Sequence, residues 1–348
     1  MPSHSRLLAV ICLAAACALL AACGSPATGP GSPASTSSGP GASGKSVTFV
    51  ADTGGLDDHG YNEYTYLGVK AGAAAAHIGF HVIQTVSSSD YVSNLTTAAR
   101  QSGLVIMAGF DFGPALQTVS AQFPKVDFVI EDFSYSPPLP NVQGDVFEAS
   151  QSSYLGGIVA AGMSSDHTIG FVGGVKESVL EQFLAGYEAG ALSYDPQTHI
   201  KVVWTGSFSD QQAGKEAAQT EIAQGADVIF AAAGASGLGS LAAARQAGKY
   251  AIGVDSDQNY LAPQTIVTSV VKNLSVVAAD NVRAYASGTW KAGTAAYDVA
   301  NDGVGLAPWH AFATTVPAAV KTAVTKAEQE MKGGTLHVPT VPQYPNGR

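Results

Sequence analysis

Four short apolar runs occur twice along this chain, in the same order and about 120 residues apart. That duplication limits the fold more than any other feature. "VTFV" at 47 matches "TIGFV" at 168, and "HVIQ" at 81 matches "KVVW" at 201. "GLVIM" at 103 matches "ADVIF" at 226, and "VDFVI" at 126 matches "YAIGV" at 250. The runs are rich in Val, Ile and Phe and do not alternate strictly with polar residues, which is the pattern of strands buried on both faces. Helical segments separate them. "LTTAARQSG" and "GKEAAQTEIAQGAD" precede the third strands, while "GPALQTVSAQFP" and "GLGSLAAARQAGK" follow them and close on Gly or Pro stop signals. Strand–helix alternation predicts an α/β fold with parallel sheets and right-handed crossovers. Two such units in tandem predict two similar doubly wound lobes; the alternative is one large doubly wound sheet.

The first 45 residues do not share this pattern. Arg6 precedes the apolar stretch "LLAVICLAAACALLAA", which has the length and flanks of a secretory signal rather than of a membrane span. It ends on "LAAC", either a plain secretory cleavage site or a small-small-Cys ending like that of a bacterial lipobox. The lipobox reading makes 1–22 a lipoprotein signal peptide and Cys23 the lipid-modified first residue. Cys12 and Cys17 lie within the apolar stretch, so a mature chain beginning at Cys23 has no second thiol for a disulfide or a metal. Residues 23–45 are almost entirely Gly, Ser, Pro, Ala and Thr. Such a composition buries too little apolar surface to order itself and reads as a flexible tether. The membrane is then reached through the lipid anchor alone.

Composition removes several partners. The chain carries 17 Lys and Arg against 27 Asp and Glu, a net charge of −10, without a basic cluster. Nucleic acid and anionic lipid surfaces are therefore disfavoured.

In an open parallel sheet a ligand sits beyond the carboxyl ends of the strands. The unusual residues lie there in both copies. "ADTGGLDDHGYN" at 51–62 joins the first strand to a helix. A glycine pair in that place suggests a phosphate cradle, but Asp52, Asp57 and Asp58 would repel phosphate. Asp52 directly follows the strand and is placed to accept hydrogen bonds from a diol or from N–H groups. Asp57 and Asp58 read better as helix caps. Tyr61 and Phe208 fall just past strand ends on different lobes, where two aromatic faces can sandwich a planar ring or belong to the core. Stacking of that kind contributes roughly 1–3 kcal/mol per base. Asn62 can both donate and accept, which suits the edge of a base. Phe110 and Asp111 follow the third strand, Gly234 holds the same place in the second copy, and Asp255 follows the fourth strand there. Lys272, an isolated cation after an apolar run, pairs with Asp255, donates to a ligand hydroxyl, or forms a surface ion pair.

Other chemistries lack their motifs. "GVDSDQN" at 253–259 has Tyr260 where a calcium loop needs glycine. "GASGLG" at 234–239 lacks the dinucleotide spacing, and no Walker A, G-x-S-x-G or H-E-x-x-H sequence occurs. No nucleophile stands with a base, no metal set is evident, and no cofactor is implied.

"VADTGGLDDHGYNEYTYLGV", "VGGVKESVLEQFLAGYEAG", "YAIGVDSDQ" and "TSVVKNL" together resemble the basic membrane protein family of substrate-binding lipoproteins. Its characterised members include purine nucleoside receptor A-like proteins serving ABC transporters. The resemblance spans about residues 46–310. It implies a type I periplasmic-binding-protein fold with a three-segment hinge, here near Glu148, after Asp255 and near Asn301. The lobes would be 46–148 with 256–301, and 149–255 with 302–348. It implies a nucleoside, purine above all, held between the lobes. Asp52 and Asn62 would contact base or sugar, Tyr61 and Phe208 would be the stacking walls, and Gly234, Asp255 and Lys272 would lie on the ribose side. "HGYN" stands where the family more usually has "KSFN", so Tyr61 brings an extra hydroxyl. The implied protein is a monomeric, lipid-anchored receptor on the extracytoplasmic face of the membrane, delivering to ABC permease subunits, and not an enzyme. The rivals are a sugar or signalling-molecule receptor on the same fold, a nucleoside hydrolase using the clustered aspartates, and a surface lipoprotein without a small ligand.

Overall fold

A computed structural model describes residues 44–348. The expected signal peptide, the lipidation site at Cys23 and the tether up to residue 43 lie outside the described residues. At the tether's expected end, Lys45 already belongs to the fold: its Nζ donates to the carbonyls of Tyr285 and Ala286, each at 3.0 Å.

The strands of the first copy are β1 (Ser46–Ala51), β2 (Gly79–Gln84), β3 (Leu104–Met107), β4 (Asp127–Glu131) and β5 (Val142–Phe147). Those of the second are β6 (Thr168–Gly173), β7 (His199–Trp204), β8 (Val228–Ala232), β9 (Tyr250–Asp255) and β10 (Ile266–Lys272). Two further short strands follow, β11 (Gly293–Tyr297) and β12 (Val304–Leu306). They form two six-stranded sheets, β11-β5-β4-β3-β1-β2 and β12-β10-β9-β8-β6-β7. Every pairing is parallel except β10 with β12. The two orders are the same pattern written twice, so the α/β two-lobe reading holds and the single large sheet does not.

The expected lobe boundary after Asp255 needs correction. The duplication has a fifth member, β5 and β10, which the four-run comparison did not contain. β10 pairs with β9 in the second sheet, and the chain crosses to the first lobe only after Lys272, entering helix α8 (Leu274–Ser287). The reason is burial. Ile266, Val267 and Val270 are fully buried, and only a place inside the second sheet covers both faces of that run. The other crossings run from β5 into α4 (Ala149–Met163) and from β11 to β12.

The helices cover both faces of the sheets. α1 (Tyr61–Ala76) packs on α8 over the first sheet. α4 packs on α5 (Ser178–Tyr194), and α6 (Gln211–Ala223) on α7 (Ala235–Gln246), over the second. α4 is buried around most of its circumference, and α5 approaches it closely enough that a Cβ on Gly190 would lie 1.9 Å from the Tyr154 carbonyl oxygen. Large buried side chains such as Phe171, Tyr187 and Phe230 fill the second lobe.

One helix residue contradicts its surroundings. Glu221 of α6 is fully buried, and neither carboxylate oxygen has a hydrogen-bond partner of good geometry among the described residues. It lies against the sheet where Gly170 leaves room, since a Cβ there would be 2.2 Å from Oε2. Burial pushes its carboxyl well above the ordinary value. A pKa raised by folding stabilises the native state at low pH, and that contribution is lost as pH rises above the unfolded value of about 4.3. Denaturant titration of Glu221→Gln against the parent at pH 5 and pH 8 should show the variant gaining relative stability at the higher pH. An unchanged difference at the two pH values would contradict a buried, protonated Glu221.

Candidate functional site

The turn after β1 is a hydrogen-bonded unit centred on Asn62. The Asn62 side-chain amide donates to Asp52 Oδ1 at 2.8 Å and to Asp58 Oδ2 at 3.0 Å, and its Oδ1 accepts from the Asp52 N–H at 2.9 Å. Asp52 Oδ1 also accepts from the Gly54 N–H at 2.6 Å. A Cβ on Gly54 would sit 2.9 Å from both Asn62 Nδ2 and Asp52 Oδ1, so the glycine is required by this packing. Asp58 caps α1. Its Oδ1 accepts from the N–H groups of Gly60 and Glu63, and its Oδ2 accepts from that of Asn62. Asp57 is exposed, so the capping expected of the pair belongs to Asp58.

The sequence suggests Asn62 for the edge of a base. Both of its amide protons are committed within the turn. It lines the site and holds Asp52 and Asp58 in place. Asp52 keeps Oδ2 free of donors from the described residues, with Gly109 close enough that a Cβ there would lie 3.3 Å away. Burial, the largest effect, pushes the Asp52 carboxyl up to about 7 against the hydrogen bonds from Gly54 and Asn62.

All nine residues expected at a site, Asp52, Tyr61, Asn62, Phe110, Asp111, Phe208, Gly234, Asp255 and Lys272, line one cleft between the lobes. The aromatic geometry differs from expectation. Phe208 faces Phe110 across the cleft, ring centroids 6.3 Å apart at 78°, an edge-to-face contact between lobes. Its ring rests on Gly174, where a Cβ would come within 2.3 Å. Tyr61 instead presents its ring to Lys272, with Nζ 5.1 Å from the centroid. The Tyr61 hydroxyl is buried without a partner of good hydrogen-bond geometry among the described residues. Burial first, then the charges of Asp132 and Glu131, hold its phenol well above the ordinary range.

Asp255 is the last residue of β9, buried, with a left-handed backbone at φ +64°. An aspartate there is held at an energetic cost of the kind concentrated at functional sites. No donor from the described residues hydrogen-bonds its carboxylate, and Lys272 Nζ stands 3.8 Å away. Burial raises its carboxyl to about 7, Lys272 opposes this, and Asp132, Asp58 and Asp52 reinforce it. Gly234 opens α7 at φ +55°, its backbone close under Phe208.

Sequence reasoning missed one charged wall residue, Asp132, and an apolar floor of Val179, Leu180 and Phe183 from α5. Lys272 bonds Asp132 Oδ2 at 2.6 Å, in preference to the expected partner Asp255. Asp132 sits at the end of β4, the counterpart of the strand that ends in Asp255, so the duplication held the signal that could have found it.

A family model, ABC transporter substrate-binding protein PnrA-like, matches residues 45–337. The chain belongs to this family. It is a substrate-binding protein of an ABC transporter rather than an enzyme. It is 35% identical to basic membrane protein A1 of Borrelia garinii subsp. bavariensis over 66% of this chain and 68% of that protein. It is 30% identical to the ABC transporter nucleoside-binding protein BmpA of Lactococcus lactis subsp. cremoris, over 84% of this chain and 89% of that one. Among solved structures, an ABC transporter solute-binding protein from Aeropyrum pernix K1 superposes with a TM-score of 0.78 at 23% identity, covering 86% of this chain and 94% of that one. No helix among the described residues is long and apolar enough to cross a membrane.

Replacing Asp58 by Ala removes the cap and one anchor of Asn62 together. Thermal and urea unfolding should show a loss of about 1 kcal/mol or somewhat more. Unfolding unchanged within error would mean that the turn holds its shape without Asp58.

Proposed function

We propose that this family member is a nucleoside receptor, with purine nucleosides as its first ligands. The observation that carries the reading is a buried carboxylate without donors from the described residues, Asp255, at an aromatic-walled cleft between lobes. A ribose diol supplies two neutral donors for such an acceptor, and a base supplies a flat face for Phe110, Phe208 or Tyr61. Asp52 Oδ2 accepts from an N–H or hydroxyl at the other end of the ligand. Asn62 acts by holding Asp52, and Gly234 lets the ligand approach the backbone. Asp111 lies at the outer edge of the cavity, where it disfavours anionic substituents. Lys272 donates to a ligand hydroxyl while remaining paired within the protein. The nucleoside-binding relative in Lactococcus supports the same class.

The protein would be held on the extracytoplasmic face through lipid on Cys23. It would act as a monomer, close by hinge motion and deliver its ligand to ABC permease subunits. The sequence ending "LAAC" and the tether support the anchor, and the family supports the permease. Mass spectrometry of the mature N-terminus from membranes should find a diacylated or triacylated cysteine at position 23. An unmodified chain beginning elsewhere would remove the anchor from this account.

Calorimetric titration with adenosine, inosine, guanosine, uridine, ribose and glucose tests the ligand class. A purine nucleoside should bind best, and Asp255→Ala should cost at least tenfold in affinity. A response to sugars with none to nucleosides would overturn the reading. Ligand donors favour the ionised carboxylates, so affinity should be level above pH 7. It should fall as pH drops below 7, by on the order of tenfold per pH unit for each carboxylate that must ionise. An affinity that rises on acidification would contradict acceptance by Asp52 and Asp255.

A further inference from the structure

We infer that Asp132 is a positioning residue for the ligand: it holds Lys272 away from Asp255 and so leaves the Asp255 carboxylate open to donors from the cleft. The inference rests on the nucleoside reading for its binding arm, though its electrostatic arm does not need a ligand.

The geometry is a cation between two matched carboxylates. Asp132 directly follows β4 in the first lobe, and Asp255 ends β9 in the second. Both have left-handed backbones, at φ +57° and +64°. Both line the cavity and both are nearly inaccessible. Lys272 ends β10, the strand beside β9, immediately before the chain crosses back to the first lobe. Its Nζ is 2.6 Å from Asp132 Oδ2 and 3.8 Å from Asp255 Oδ1. The first is a charge-assisted hydrogen bond, and the second is beyond hydrogen-bonding distance. The rings of Phe183, Tyr61 and Phe147 surround the ammonium at 4.9, 5.1 and 5.8 Å. They leave it few directions in which to move.

A buried ammonium needs a partner. With Asp132 neutralised, the carboxylate already within 4 Å takes that place. Lys272 then closes on Asp255 and competes with the ligand for its oxygens. The ion pair also joins the two lobes from inside the cleft. Asp132 therefore acts on Asp255 through Lys272, whereas Asn62 holds Asp52 by donating to it directly.

The charged groups facing Asp255 are Asp52 and Asp58 from the turn after β1, Asp132 from the end of β4 and Lys272 from β10. His59, in the same turn, directs its ring to Glu63 and Tyr260. Neutralising Asp132 removes a repelling charge and brings the cation nearer, and both changes lower the Asp255 pKa.

The test uses the mature protein, the variants Asp132→Asn and Asp132→Glu, and two readouts. Carboxyl carbon NMR titration of the ligand-free protein, with Asp255 assigned through Asp255→Asn, should place the Asp255 midpoint lower in Asp132→Asn than in the parent. Asp132→Glu, which keeps the charge, should restore the parent midpoint. Calorimetry with inosine should show at least a tenfold loss in Asp132→Asn and recovery to within about threefold in Asp132→Glu, the tenfold step being one pKa unit of differential interaction. Asp132→Ser replaces Asp132→Asn if the latter does not fold by circular dichroism. An unshifted Asp255 midpoint overturns the inference, and so does an affinity loss that Asp132→Glu does not recover. A parent that binds no nucleoside refutes the function proposed above, while the Asp255 midpoint still decides the role of Asp132.

Discussion

Among the described residues five carboxylates line a cleft with one lining cation, Lys272, and the rest of the site follows from that imbalance. Ionised carboxylates cannot be buried together without donors or countercharge. The protein supplies donors to some of them: Asp58 takes backbone N–H groups of α1, Asp52 is half satisfied by Gly54 and Asn62, and Asp132 takes Lys272. Asp255 receives none from the described residues and stands with its carboxyl raised to about 7. Such a group is tolerable when a bound molecule brings its own donors. It also disfavours phosphate and other anions, because the lining cation, Lys272, is already held by Asp132.

The fold creates this convergence by repetition. A doubly wound sheet directs the loops after its strands to one edge, and two copies of that sheet facing each other bring both sets of loops to one cleft. β4 and β9 then deliver Asp132 and Asp255 from opposite sides, while β1 delivers the Asp52 turn and the β7–α6 connection delivers Phe208. Neither lobe holds enough of the site to enclose a ligand by itself. The chain crosses between the lobes three times, and the contacts Phe110–Phe208 and Lys272–Asp132 join them across the cleft.

Much of this was legible in the chain. The repeat of buried apolar runs contained the two sheets, and residues after strand ends contained the cavity. The rest was hidden for identifiable reasons. β10 carries Lys272 at its end and follows a loop, so its membership of the second sheet depended on recognising a fifth repeat member. Asn62 and Tyr61 are adjacent in sequence but point to different tasks, and only the hydrogen bonds of the turn show that the amide of Asn62 is already used. The pairing of Lys272 with Asp132 spans 140 residues and two lobes, a separation at which local pattern carries no information. Phe110 and Phe208 face each other through the relative placement of the lobes, which the sequence of neither lobe contains.

The most direct test is a crystal structure of the protein with bound inosine. The account predicts the base against the Phe110, Phe208 and Tyr61 rings, both ribose hydroxyls donating to Asp255, and Lys272 still bonded to Asp132. A ribose turned away from Asp255, or a nucleoside found only outside the cleft, would contradict it.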